Sequence, residues 1–209
     1  MASDSSRLSS SFAAEPVPWA VFLAGRSGII LSFLWGLAEG ALFFVVPDVL
    51  LSLVAIVSPR SAWRHILSAV LGAVCAGALM YAWAEQNPAN AHAVVSRVPF
   101  IPQRMFDQVQ SGYQHRGMAA LFLGPLSGIP YKIYAIEAPR HVGFLSFVAA
   151  TAPARAWRFI LICLLFGAVA AFMRRAWRTN PRQLAAIHGV VWILFYGFYW
   201  SRIFLSNPH

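Results

Sequence analysis

The sequence predicts an all-α polytopic membrane protein in which two inverted re-entrant helical hairpins pack among transmembrane helices, and three observations carry that prediction. Of the 209 residues, 59% are hydrophobic and 11% charged, whereas roughly a quarter of a soluble domain is charged. Residues 66–84 run for nineteen positions without a charge, close to the ~20 that a helix needs to cross a bilayer. The apolar stretch 118–138 is interrupted in its middle by Gly124, Pro125, Gly128 and Pro130, with Lys132 and Glu137 close behind. Proline has no N–H and glycine does not hold helical geometry. Lipid cannot satisfy the backbone groups so released, and such a segment persists at membrane depth only against protein or a wet cavity.

Residues 1–16 are polar and expected to be flexible, and one membrane domain covers 17–205. No cleavable leader is expected, because the nearest cation to the first apolar run, Arg26, lies inside it. Residues 17–57 carry only Arg26, Glu39 and Asp48 as charges; as one helix they would measure ~60 Å, about twice the hydrocarbon thickness. Two spans joined at 36–40 would need a polar turn that Trp-Gly-Leu-Ala-Glu-Gly does not offer. The favoured alternative is an amphipathic lead-in followed by a hairpin over 29–57, bent at Val46-Pro47-Asp48. A basic loop with Trp63 precedes a span over 66–84, whose Ala69, Ala73 and Gly77 form a small-residue face suited to close helix packing and to a homo-oligomer.

Residues 85–117 read as an interfacial connector containing a short amphipathic helix. The second hairpin occupies 118–138, a span covers 156–173 with its helix starting before Arg158, and a last span covers 184–203. Residues 206–209 form a tail. Each half therefore repeats one order, an interrupted apolar segment followed by a continuous span. The loop holding Arg174, Arg175, Arg178 and Arg182 is the densest in basic residues and should be cytoplasmic. Counting back returns the Arg60 and Arg64 loop to the same side, so the two hairpins enter from opposite faces, with their tips meeting near the midplane as in secondary transporters.

The net charge of +9 comes from sixteen basic residues dispersed between apolar segments, which fits loop arginines and anionic lipid rather than nucleic acid. Cys75 and Cys163 lie within apolar runs and read as packing residues. The six histidines show no ligand spacing, so neither a metal nor another cofactor is expected. No His, Cys or Ser sits in a nucleophile and base arrangement, so no catalytic residue is assigned and an enzyme is not expected.

Several short patterns occur in order: Glu39 with Phe43-Phe44-Val45-Val46-Pro47-Asp48; Gly72 and Gly77 leading to Tyr81; Tyr113-Gln114-His115-Arg116-Gly117; and Gly128-Ile129-Pro130-Tyr131-Lys132 with Tyr134-Ala135. Over about residues 30–175 the chain thereby resembles the DedA membrane protein superfamily, also called the SNARE-associated or VTT domain. The resemblance implies two opposed re-entrant hairpins and movement of lipid between leaflets. In bacterial relatives this is linked to undecaprenyl phosphate recycling and proton-motive force, and in eukaryotic relatives to phospholipid scrambling. The acidic residue after the family's hairpin proline maps to Asp48. Where the family usually has two arginines around Pro-Gly in the second hairpin, this chain has Lys132 alone, the first position falling near Gly124 or Pro125. The usual closing Ala-Gly is Ala138-Pro139.

The expected function is a transporter, of flippase or scramblase type, for a membrane lipid or lipid phosphate. The expected location is a bacterial inner membrane, with the N-terminus in the cytoplasm. Glu39 and Asp48 are the candidates for proton or charge coupling, since ionisable groups inside a membrane are costly and usually functional; helix capping or pairing with Lys132 is their structural alternative. Lys132 beside broken backbone offers a cation and free amides to a phosphate head group. Arg155 and Arg158, three apart on one helical face, are candidates for a second phosphate contact or for snorkelling to the interface. Pro47, Gly124, Pro125, Gly128 and Pro130 are the expected hairpin breaks. The alternative is a scaffold or assembly factor, tolerant of change at Asp48 and Lys132 but sensitive at Ala73 and Gly77.

Overall fold

The computed structural model describes residues 18–205; the segments 1–16 and 206–209, expected to be polar termini, lie outside them. The described residues form ten α-helices: α1 Pro18–Ala24, α2 Arg26–Ala41, α3 Asp48–Val57, α4 Ala62–Gln86, α5 Pro88–Val95, α6 Gln103–Arg116, α7 Ala119–Ser127, α8 Tyr131–Glu137, α9 Phe144–Trp177 and α10 Pro181–Leu205. A 3₁₀ turn, Ala138–Arg140, follows α8. No strand occurs among the described residues.

Three of these helices, α4, α9 and α10, are long and apolar enough to cross a membrane; α1 and α2, bent by 65° at Gly25, pass the same test as a pair. Their outward faces carry Leu67, Leu71 and Leu79 on α4, Leu164 and Phe172 on α9, and Ile193, Leu194 and Phe198 on α10, all exposed. Such continuous apolar surface is unsuited to water, and the chain is an integral membrane protein.

The central packing is α2 against α4. On α2 the buried stripe is Gly28, Ser32, Gly36 and Gly40, one residue per turn. It meets Ser68, Ala69, Gly72, Ala73 and Ala76 of α4, which are buried as well. Small residues at four-residue spacing let backbones approach closely, and here the approach is limiting: a Cβ at Gly36 would stand 2.2 Å from the Ala69 carbonyl oxygen, and one at Gly72 2.1 Å from that of Phe33. The Ser68 hydroxyl crosses the seam to donate to the Ile29 carbonyl at 2.7 Å. The small-residue face foreseen on the 66–84 span is thus filled from within the chain, by α2 and, at Gly77, by Tyr131 of α8.

Both expected interruptions exist. Residues 42–47 separate α2 from α3, whose arms pack on different partners: α2 lies along α4, and α3 along α9. The second interruption is narrower than expected, confined to residues 128–130. Helix α7 runs through Gly124 and Pro125 to Ser127, and the chain breaks at Gly128, which adopts φ +72, and at Pro130, which leads extended backbone into α8. Gly124 is instead a close approach, since a Cβ there would stand 2.8 Å from the Tyr134 ring. Of these two glycines, Gly128 alone takes the left-handed backbone that glycine adopts without steric cost.

The connector holds two helices rather than one. Helix α6 buries Met105, Phe106, Val109 and Tyr113, a single face, against α7 and α8. The span foreseen over 156–173 is the second half of α9, a helix of 34 residues that starts at Phe144 and continues through Pro153. Arg155 and Arg158 consequently sit in mid-helix, away from its ends. The last span corresponds to α10, which packs mainly on α3.

Candidate functional site

Each break releases backbone groups, and the structure supplies partners for them from elsewhere in the chain. At the first, the Val45 carbonyl accepts from Trp35 Nε1 at 3.0 Å, the Val46 N–H donates to Tyr196 Oη at 2.9 Å, and the Phe43 carbonyl accepts from Lys132 Nζ at 2.6 Å. At the second, Tyr199 Oη donates to the Gly128 carbonyl at 3.0 Å, and the Ile129 N–H reaches Ser127 Oγ at 3.4 Å. Pro47 stands as the cap before α3. This places Asp48 in the first turn of that helix, where the exposed N–H groups favour negative charge.

Between the breaks lies a cavity of about 450 Å³. Its charged lining residues are Glu39, Asp48, Lys132 and Arg158; its aromatic ones include Phe44, Phe100, Trp157, Phe166, Trp192, Phe195 and Trp200, with Tyr196 and Tyr199. Trp200 stacks on Phe100 with ring centres 5.0 Å apart, and Phe166 on Trp192 at 6.0 Å. Trp157, Trp192 and Trp200 thus wall this cavity.

The five charged candidates converge from four elements. Arg155 Nη2 donates to Glu39 Oε2 at 2.6 Å. Arg155 is also held between two rings, its guanidinium carbon 5.0 Å from the Tyr131 ring centre and 4.9 Å from that of Phe159. Arg158 Nε donates to Asp48 Oδ2 at 2.9 Å, and Nη2 binds the same oxygen. Glu39, Asp48, Lys132 and Arg155 are all 1–3% exposed. The structure brings all five residues named from sequence together but places the arginines differently from the phosphate contacts or interfacial side chains expected: Arg155 is not on the cavity wall, and each guanidinium is paired with one of the two carboxylates. Pairing with arginine, rather than with Lys132, is the outcome for Glu39 and Asp48. Buried charges demand partners, and α9 brings both arginines to carboxylates more than a hundred residues earlier in the chain.

Lys132 has no carboxylate within 4 Å among the described residues, its Nζ meeting the Phe43 carbonyl instead. Three cations face two carboxylates, which leaves the site with one formal positive charge. Asp48 Oδ1 is buried and has no hydrogen-bond partner among the described residues. Glu137 takes no part; it accepts from Gln110 at 3.0 Å and from Arg140 at 3.3 Å. Tyr113 on α6 donates to the Tyr134 carbonyl at 3.1 Å, and burial pushes its hydroxyl pKa up, so it stays a donor.

A further polar cluster fastens α10 to α3. Ser52 Oγ lies 2.8 Å from His188 Nε2, and Trp192 Nε1 donates to both at 3.2 and 3.0 Å. The Ser52 hydroxyl gives its own proton to the Asp48 carbonyl. Sequence reasoning missed Ser52, His188, Tyr196 and Tyr199. Positions 188, 192, 196 and 199 of α10 fall on one helical face, and this spacing of polar-tipped rings in an apolar helix was the signal available. No group of three or more His, Cys, Asp or Glu side chains gathers to hold a metal among the described residues.

No family model, curated protein or solved structure matches the chain.

Proposed function

We propose that this protein moves a lipid or lipid phosphate between the leaflets of a bacterial inner membrane, with its N-terminus in the cytoplasm. In this reading the two helix-break-helix segments are re-entrant hairpins. The phosphate meets Lys132 while the acyl or prenyl chain follows the aromatic rings of the cavity. The observation that carries it is Lys132, a buried cation without a carboxylate within 4 Å, on the wall of a cavity whose lining combines charged groups with many aromatic rings. An uncompensated buried charge is costly, and an anionic head group would neutralise it. The resemblance to the DedA superfamily supports the same reading. Glu39 and Asp48 hold Arg155 and Arg158 in place and adjust the charge as the head group passes.

The test uses proteoliposomes carrying the purified protein with fluorescent phospholipid or a polyprenyl phosphate, with and without a pH gradient. Head-group translocation that is lost in Lys132→Ala and Asp48→Asn, both still folded, is the expected result; a rate that follows the gradient assigns proton coupling. Wild-type rates in both variants would sink the proposal. Absence of movement in folded wild-type protein would leave a scaffold as the better account.

A further inference from the structure

A phosphate has no way to Lys132 while the chain is arranged as it is. Lys132 borders the cavity but is only 1% exposed, so an anion cannot touch its ammonium until something moves. Its single hydrogen-bond partner among the described residues is the Phe43 carbonyl, at 2.6 Å. Phe43 belongs to residues 42–47, which are part of no helix and in which Leu42, Phe43 and Phe44 are exposed. The helices around the site are harder to displace. Helices α2 and α4 interlock at Gly36 and Gly72, and two ion pairs fix α9 to α2 and α3.

Residues 42–47 are held from three elements, at one point each. Lys132 of α8 takes the Phe43 carbonyl, Trp35 of α2 the Val45 carbonyl and Tyr196 of α10 the Val46 N–H. The Phe44 ring rests against Trp200 and Phe100, with centres 5.6 and 6.5 Å away, and all three residues line the cavity. Phe100 holds φ +67, a left-handed backbone that is an outlier for a bulky side chain and persists only where its surroundings over-determine it. The seat of Phe44 is thus a fitted one. We infer that residues 42–47 are the gate of the site: a strap that covers Lys132 in this occluded arrangement and leaves it when a phosphate group, of a lipid or free, replaces the Phe43 carbonyl on the ammonium. This rests on the lipid-phosphate reading above and adds its access step. An ammonium binds an anion more strongly than a neutral carbonyl, so the ligand itself favours the released strap.

Lys132 is the only lysine of the chain, so acetylation of the full-length protein in detergent, located by mass spectrometry, reads its accessibility directly. Denatured protein sets the open rate. Wild type is expected to react at least about tenfold more slowly, and Trp35→Phe or Tyr196→Phe, each of which cuts one tie of the strap, to regain about tenfold. The two variants cut different ties, and either one that folds carries the test. Tyr81→Phe removes a hydroxyl of the same kind from the Val142 carbonyl, away from the strap, and should leave the rate unchanged. Short-chain phosphatidic acid should slow acetylation of Lys132 while raising hydrogen exchange at 42–47, an opposed pair of responses that a ligand on a rigid site would not give. Inorganic phosphate in its place shows whether the lipid is required, and the same pair of responses from either anion supports the gate. Acetylation of wild type at the denatured rate, strap variants as slow as wild type, or equal acceleration by Tyr81→Phe would each overturn the gate and leave the lipid-phosphate function untouched. No protection by either phosphate, where the strap variants do accelerate, would overturn that function and with it the ligand assigned to the gate.

Discussion

Glu39 and Arg155 illustrate what one buried pair asks of a membrane protein. Each is 2–3% exposed, and the two meet at 2.6 Å. Removing one member strands the other, a loss of about 3–5 kcal/mol. Glu39→Gln is therefore expected to lower the melting temperature in detergent steeply, and Glu39→Gln with Arg155→Met to recover most of the loss; an additive double variant would show that the pair does not act as a unit. The carboxylates and Lys132 were legible in the sequence because charge inside an apolar stretch stands out at once. Their pairing was not legible, because the arginines that hold them come from α9, more than a hundred residues further along. Nothing local in Arg155 distinguishes a counter-ion from a phosphate ligand or from a side chain that reaches for the interface.

At the scale of elements, the helices were read well where composition decides and less well where packing does. The span over 66–84, the break near Pro47 and the amphipathic face of α6 follow from charge, proline and periodicity. The second break was read too broadly because Gly124-Pro125 carries the same local signal as Gly128-Ile129-Pro130; the contact of Gly124 with Tyr134 distinguishes a packing glycine from a turning one. The α2 stripe Gly28, Ser32, Gly36 and Gly40 predicts a sharp asymmetry. Gly36→Val or Gly72→Val should abolish folded protein, whereas Gly189→Val, with nothing within 4 Å of its Cβ position, should be tolerated; size-exclusion chromatography in detergent reads the difference. Helix α10 offers a finer test. Tyr196→Phe and Tyr199→Phe each leave one backbone group of a break without its partner, at about 1–3 kcal/mol. Hydrogen exchange should rise at 42–47 in the first variant and at 128–130 in the second. A uniform rise in both would refute the local role of each hydroxyl. An aromatic residue in an apolar helix looks alike whether it faces lipid or protein, and these ties were hidden for that reason.

For the whole molecule, the arrangement of helices relative to the bilayer is the claim with the widest consequences. In a background lacking Cys75 and Cys163, cysteines introduced at Pro59 and Arg182 should label with an impermeant maleimide from one side of the membrane, and one at Gly143 from the other. Labelling of Pro59→Cys and Arg182→Cys from opposite sides would mean that one of the interrupted segments crosses completely rather than returning to its own face. Helix α9 is ~51 Å long at 1.5 Å per residue, well beyond the ~30 Å hydrocarbon layer. Its first turns accordingly belong to the folded body around α4, α7 and α8, and its last turn, with Arg174 and Arg175, lies beyond the apolar stretch. The order of synthesis adds a final point. Helix α10 is made after every other described helix, yet it supplies the hydroxyls that meet Val46 and Gly128 and several of the rings that line the cavity. Until it docks, each break of a nascent chain holds one backbone group without its partner and the cavity lacks part of its wall, a partly folded state of the kind that cellular proteases triage. Completion of the cavity is then also the last checkpoint of biogenesis, and a chain stalled before α10 should be short-lived even with all its charged residues in place.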